Sequence, residues 1–594
     1  MKLFGKIIIL FVGITTGALY IGVREGAIEL HRSAGTIDQR ETVFDIRPFL
    51  GGEIATRDDI VLDDGEVISS LETIGVYANR STSDKVNPAV IPERTIHQID
   101  EEYHMFDDFE FTPVDEEGRI IVSMSDGEEG ESRSLQNTNP HLSKTVLGFA
   151  PYWNFKTTYP QYQMDRLSVI AYFGLNVNSD GSIVMGSDSG WLGWNSDEFV
   201  EMVNKAHQND VKVVLTVKNF SKSSIETFLN ASNPTNSGGA WHRLVHDGTY
   251  GIVPQLIAKN ADGVNIDYEY IGTATTALRN KFTAFVKYVA DELNTHPSLG
   301  DMHVSVDVMG TSGISQLLYD IKALGNISNL DYIMVMSYDY HSGNSLYAGP
   351  TSPLYGNQYW YTVERAMNDI SALTHNSKVL MGIPYYGLDF SVKNTQSRPW
   401  TSKNAERNPA RWSGVETYAK TMNSQSEACR NQYGIQWDNG DKMTWYRYTW
   451  LWGSGGGCVS CNPATNPNCD WRQGYFDNPN SLAAKYDFVN ARNLGGIGIW
   501  ALGYDVGRTE LWDVIKDKFS REEFMVVFKD GVTKAQQTAI HNSVGTTVIG
   551  ELRGNAVIVQ PISRTSHEAM KDYRSRSQVA TAGYITSREI FESQ

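Results

Sequence analysis

Cysteine is scarce in this chain, with four residues in 594, and Cys429, Cys458, Cys461 and Cys469 all fall within one short stretch. Basic charge is also short: 51 Lys and Arg stand against 69 Asp and Glu, a net charge of −18. Nucleic-acid binding needs a basic face to neutralise phosphates, so no nucleic-acid partner is expected. No glycine-rich phosphate turn follows any early strand candidate, which argues against an open, doubly wound nucleotide-binding sheet. Gly453-Ser-Gly-Gly-Gly457 has no strand before it and reads as a flexible loop. Long apolar runs are missing except at the N-terminus, where Ile7–Val23 follows Lys2 and Lys6. That run is long for a cleaved signal and marginal for a spanning helix. Residues 1–23 therefore read as either a signal peptide or a membrane anchor. Either way the chain is expected to be exported: secreted, periplasmic or held at the cell surface.

Export bears on the cysteines. An even number, clustered in an oxidising compartment, favours disulfides that staple an insertion. Cys458-Val-Ser-Cys461 has a zinc-like spacing, but no histidine accompanies it, so disulfides are preferred and no metal is expected.

The chain is rich in apolar and aromatic side chains, with 14 Trp and 30 Tyr. Such rings serve cores, interfaces and sugar stacking alike. The length suggests roughly three or four units. Residues 24–140 show few periodic runs and concentrate the acidity. Between Asp100 and Glu131 thirteen acidic residues face one basic residue, Arg119, so that stretch carries −12 of the −18. The composition fits a partly ordered spacer, a pro-region or a small domain.

From Thr145 short apolar strands alternate with helical segments, the pattern of parallel β/α units. The strand candidates are Val146–Ala150, Val169–Phe173, Val211–Val217, Gly263–Glu269, Val304–Met309, Tyr332–Tyr338, Val379–Pro384 and Gly496–Leu502. Eight such strands over 145–518 predict an α/β fold, a (β/α)₈ TIM barrel, with a large disulfide-containing insertion at 387–495 between strands seven and eight. Trp400, Trp412, Trp437, Trp445, Trp450 and Trp452 of this insertion either wall a long cleft or pack around the disulfides. Residues 522–594 read as a small α+β module in the order βαββα.

The chemistry concentrates in Asp262-Gly-Val-Asn-Ile-Asp-Tyr-Glu269. On a strand, alternate side chains share a face, so Asn265, Asp267 and Glu269 enter the lumen while Val264, Ile266 and Tyr268 meet the helices. Buried carboxylates two residues apart are expensive unless they share protons and hydrogen bonds. Glu269 ends the strand at the face where barrel enzymes carry their sites. A neighbouring carboxylate suits it to act as a proton donor near neutral pH.

This octapeptide resembles the Asp-Gly-x-Asp-x-Asp-x-Glu signature of glycoside hydrolase family 18, the chitinase-like family, and the similarity extends over 145–518. One departure is Asn265, where the family usually has Asp; its amide can still donate a hydrogen bond to Asp267 but cannot hold its proton. Met336-Ser-Tyr338-Asp339 resembles the family's sixth-strand motif, whose Tyr and Asp contact the substrate's N-acetyl group. Gly496, Gly498 and Trp500 resemble its eighth strand, with the glycines clearing lumen space beneath an indole that floors the sugar subsite. A second departure is Thr216-Val-Lys-Asn219, where the family often has Ser-x-Gly-Gly.

The resemblance implies a retaining, substrate-assisted hydrolase of β-1,4-linked N-acetylglucosamine glycans, chitin-like or peptidoglycan, that needs no cofactor. Its catalytic residues would be Glu269, Asp267, Tyr338 and Asp339. Trp500, Met336, Tyr152, Trp153 and Tyr386 would contact sugar, and Asn265, Asp262 and Asp307 would stand behind them. The rival is a non-catalytic lectin on the same barrel. The C-terminal module resembles the propeptide domains of subtilisin-like proteases, notably in Phe528-Lys-Asp-Gly531, which implies a protease or other protein partner.

Overall fold

The computed structural model describes strand residues within 8–68, residues 97, 98, 100 and 101, and most of 142–584, excluding 393–413 and a few short loops. The chain divides into two units, Met1–Lys85 and Val86–Gln594. The first contains a five-stranded sheet of Ile8–Leu10, Ala18–Arg24, Ala27–Ser33, Ile60–Leu62 and Val67–Ile68. Strands thus occupy part of the run expected to be a signal or anchor helix, in keeping with its content of β-branched Ile and Val. Among the described residues no helix is long and apolar enough to cross a membrane.

The second unit is built on a closed parallel barrel. Its strands are β1 (Thr145–Pro151), β2 (Val169–Asn176), β3 (Lys212–Asn219), β4 (Gly263–Tyr268), β5 (His303–Met309), β6 (Tyr332–Met336), β7 (Val379–Pro384) and β8 (Gly496–Trp500). They follow one another in chain order, and β8 pairs back onto β1 with Gly496 opposite Thr145. All eight expected strands are present. They are almost wholly buried, as parallel strands covered by helices must be.

The alternation read from the octapeptide holds. Tyr268 faces outward, 5.6 Å from Phe228 of helix Lys222–Leu229 and 5.4 Å from Phe285 of helix Thr276–Thr295. Helix starts are fixed by side chains that satisfy otherwise unpaired N–H groups. Ser196 caps Asp197–His207, and Asn478 forms a reciprocal box with Ser481 at Pro479–Ala491.

The insertion is smaller than 387–495, because Pro479–Ala491 is a helix packed against Glu510–Phe519, the helix that follows β8. Its body is a five-stranded antiparallel sheet ordered Gly414–Thr417, Tyr386–Val392, Cys469–Phe476, Met443–Leu451 and Gln436–Asp438. Disulfides join Cys429 to Cys458 and Cys461 to Cys469, so none of the four thiols is left for zinc. The sheet's inner face, through Leu388, Phe390, Tyr446 and Tyr475, joins the apolar core of the barrel, while Trp450 meets Trp452 edge-on at 5.9 Å and Trp452 Nε1 donates to Asp470 at 2.6 Å. Trp437 is exposed, whereas Trp400 and Trp412 lie outside the described residues.

The C-terminal module has the expected order with one further strand, Val579–Tyr584, and its own apolar core. Its antiparallel sheet runs Thr546–Glu551, Ala556–Pro561, Phe524–Phe528, Val579–Tyr584. Ser566 ties it to the end of the barrel's last helix, donating through its amide to Ser520 O at 2.8 Å.

Candidate active site

Asp267 is the penultimate residue of β4 and Glu269 follows its end, its amide still bonded to Asn219 O of β3 at 3.0 Å. Both carboxylates are fully buried. They are joined by a side chain from far outside the barrel. His97 Nδ1 lies 2.9 Å from Asp267 Oδ2 and 3.0 Å from Glu269 Oε1. His97 Nε2 lies 2.9 Å from the Tyr338 hydroxyl. The imidazole stacks on the Trp500 indole with ring centroids 3.8 Å apart. One ring therefore touches Asp267, Glu269, Tyr338 and Trp500 together.

Burial alone would lower the His97 pKa, but the charge of Asp267 and the hydrogen bonds to Asp267 and Glu269 outweigh it and raise it well above 6.5. Both ring nitrogens lie at hydrogen-bond distance from these polar groups. His97, Asp267 and Glu269 also present ligand atoms within 4.8 Å of one another, as a metal site would. The two Nδ1 contacts, at 2.9 and 3.0 Å, have the length of hydrogen bonds.

The residues beside His97 follow it into the pocket. Asp100 Oδ2 accepts from Trp500 Nε1 at 2.8 Å and from the Tyr504 hydroxyl at 2.5 Å. Glu101 pairs with the ammonium of Lys218, which also donates to Asn176 Oδ1 at 2.7 Å. Lys218 is fully buried, opposite Asp267 in the β3–β4 register, and its ammonium lies 5.4 Å from the Phe173 ring centre.

Behind the carboxylates, Ser305 Oγ donates to Asn265 Oδ1 and Asn265 Nδ2 donates to Asp307 Oδ2, each at 2.7 Å. The Asn265 amide thus serves Asp307, where the sequence pointed to Asp267. Burial, then the charge of Asp267, pushes the Asp307 carboxyl well above its usual range.

β6 ends at Met336, so Tyr338 and Asp339 lie in the following loop. Asp339 is left-handed, at φ 61°, and its amide donates to Thr351 Oγ1 at 2.9 Å. Its Oδ1 accepts from the Tyr386 hydroxyl at 2.6 Å, which links Tyr386 to the site through Asp339. Gly382 makes the room for Tyr338: a Cβ there would stand 2.8 Å from Tyr338 Cε1 and 2.5 Å from Val335 O. Burial and the surrounding carboxylates push the Tyr338 hydroxyl well above 10, so it remains a neutral donor.

Other expectations shift. Trp153 joins the aromatic wall, 6.1 Å from Trp500 and 6.0 Å from Phe173, while Tyr152 stands edge-on to it at 5.0 Å. Met336 is buried at the end of β6. Gly498 is not space beneath the indole, because Met334 fills it, and a Cβ there would meet Met334 Cγ at 2.7 Å. Gly496 admits the Thr145 backbone. Asp262 sits at the opposite end of β4, accepting from the Val213 amide at 2.7 Å and facing His207 Nε2 at 2.8 Å. It staples the barrel floor and is remote from Glu269.

Sequence reasoning missed His97, Asp100, Glu101 and Lys218. The first three share one face of a helical turn, at positions i, i+3 and i+4. Within so acidic a stretch that spacing carries no distinguishing signal.

The model of the glycosyl hydrolases family 18 matches residues 146–505. Human di-N-acetylchitobiase is 24% identical over 277 residues, covering 43% of this chain and 64% of that protein. Mouse chitotriosidase-1 is 24% identical over 267 residues, covering 42% of this chain and 51% of that protein. The crystal structure of the class V chitinase from Nicotiana tobaccum aligns with a TM-score of 0.49 at 15% identity, covering 62% of this chain and 98% of that one. The chain thus spans about half to two thirds of these curated relatives, and the family match ends before the C-terminal module. Over its barrel this chain belongs to glycosyl hydrolases family 18.

Proposed function

We propose that this protein is a retaining hydrolase of β-1,4-linked N-acetylglucosamine glycans. The observation that carries the reading is the convergence of Asp267, Glu269, Tyr338 and Trp500 on one ring-sized space. A pyranose resting on the indole would present its anomeric carbon and acetamido group to those three polar groups. Glu269 protonates the leaving oxygen. The substrate's acetamido oxygen attacks the anomeric carbon to form an oxazolinium ion, and Asp267 orients the acetamide and stabilises its growing positive charge. Tyr338 donates to the acetamido oxygen. Glu269 then takes a proton from the water that opens the ring, restoring the starting anomer. Holding the internal nucleophile in place replaces a loose encounter with a positioned one. Two disulfides agree with an oxidising, extracellular setting.

Glu269→Gln should abolish release of reducing sugar from chitin oligomers while leaving oligomer binding intact. Undiminished turnover would remove Glu269 from the mechanism. Binding without hydrolysis by the native chain over a broad pH range would favour the lectin.

Lys218 favours one substrate within this class. Its buried ammonium, opposite Asp267 in the β3–β4 register, meets a carboxylate, that of Glu101. A glycan bearing free carboxylates, such as peptidoglycan through its stem peptides or through muramic acid that carries no peptide, would satisfy it better than neutral chitin. Parallel digestion of chitin oligomers and purified peptidoglycan, with products identified by mass, tests this. Preference for the neutral polymer would reject it.

A further inference from the structure

We propose that the turn from His97 to Glu101 is a built-in block of the substrate pocket, so that the intact chain is held latent until this turn is displaced. The inference rests on the pocket assignment above and extends it to regulation.

The turn takes every group a sugar would need. The His97 imidazole covers the Trp500 face on which a pyranose would stack, at 3.8 Å between centroids. Its Nδ1 occupies both Asp267 and Glu269, and its Nε2 takes Tyr338. Asp100 takes the Trp500 indole N–H and the Tyr504 hydroxyl. Glu101 takes Lys218. A ring, a donor pair and two carboxylates thus stand where a charged N-acetylated sugar would place its ring, amide and acid groups.

The fit is built rather than incidental. His97 is fully buried, Gln98 and Asp100 nearly so, and the three anchors lie on one helical face. Residues 102–144 connect the turn to β1, which begins at Thr145, so the turn is a covalently tethered competitor for the pocket. A competitor on the same chain acts at an effective concentration set by the linking residues and is not lost by dilution. Substrate binds only in the fraction of molecules whose pocket is open, and its apparent affinity falls by that fraction. Catalysis has no use for His97 in this position, since a proton donor lodged between Asp267 and Glu269 excludes the acetamido group that must reach Asp267.

The test compares the full native chain with His97→Ala/Asp100→Ala and with the shape-conserving Glu101→Gln. Two quantities are read: kcat and KM on a fluorogenic chitobioside, and calorimetric affinity for the N-acetylglucosamine trimer. The double variant should lower KM and Kd about tenfold or more with little change in kcat, and Glu101→Gln should move both the same way by less. Unchanged KM and Kd in both variants, or loss of kcat in both, would overturn the block. If no form hydrolyses but the variants bind the trimer more tightly, the block stands and the hydrolase reading fails.

Discussion

His97 and Asp267 are 170 positions apart in sequence, yet Nδ1 of one lies 2.9 Å from Oδ2 of the other with neither exposed to solvent. An ion pair that deep is costly to open by removing one partner, because a buried charge is left behind. A ligand that hydrogen-bonds the same oxygens in place of the imidazole offsets part of that cost. A sugar acetamide and a leaving-group oxygen can do so.

The pair makes latency depend on pH. Docking raises the His97 pKa well above 6.5, with Asp267 and Glu269 as the raising groups and Tyr338, Asp307, Trp500, Phe149 and Phe173 facing the ring or close behind it. A raised folded-state value favours docking fully below about 6.5 and loses that contribution as pH rises through the docked value. The KM ratio of native chain to His97→Ala should therefore be largest near pH ~6 and shrink toward alkaline pH. A ratio that grows with pH would contradict the assignment.

Asp307 should tolerate neutralisation. Burial disfavours its charged form, and Asp307→Asn keeps an uncharged group with an oxygen able to accept from Asn265. Thermal melting should place this variant within a few degrees of the native protein. Asp307→Ala removes the acceptor of Asn265 Nδ2 in a buried site and should cost about 1–3 kcal/mol.

Gly382→Ala should damage the site through Tyr338. The added Cβ would lie 2.5 Å from Val335 O, which is backbone and cannot swing aside. A loss of about 1–3 kcal/mol by denaturant titration is expected, with reduced turnover in whatever fraction folds. Gly498→Ala is the contrast, since the three nearest atoms belong to the Met334 side chain and none is backbone, so it should cost less.

The two disulfides should matter locally. Cys429–Cys458 spans 29 residues and Cys461–Cys469 spans 8, so breaking the first should cost more, about 2–4 kcal/mol in the chain-entropy account. Both lie in the insertion. Selective Cys429→Ser/Cys458→Ser substitution should speed proteolysis within 414–476 and leave the far-ultraviolet signal of the barrel nearly intact; global unfolding would contradict this.

Alternation along single strands was enough to place Asn265, Asp267 and Glu269 on one face and Tyr268 on the other, because side-chain direction in a strand is a local property of the backbone. Eight apolar strands with helices between them likewise announced a barrel, and the clustered cysteines announced their disulfides. Neighbours across space were another matter. That Met334, and not an open space, fills the gap at Gly498 follows from the packing of β6 near β8, which no single segment encodes. Asp262, on the same octapeptide as Glu269, belongs to the other end of the barrel because the strand between them runs through it. The contact of His97 with the two acids was hidden for the same reason. His97 has no motif around it, and its meaning comes from the buried acids it meets, whose low-dielectric surroundings make an otherwise ordinary side chain a strong and specific partner.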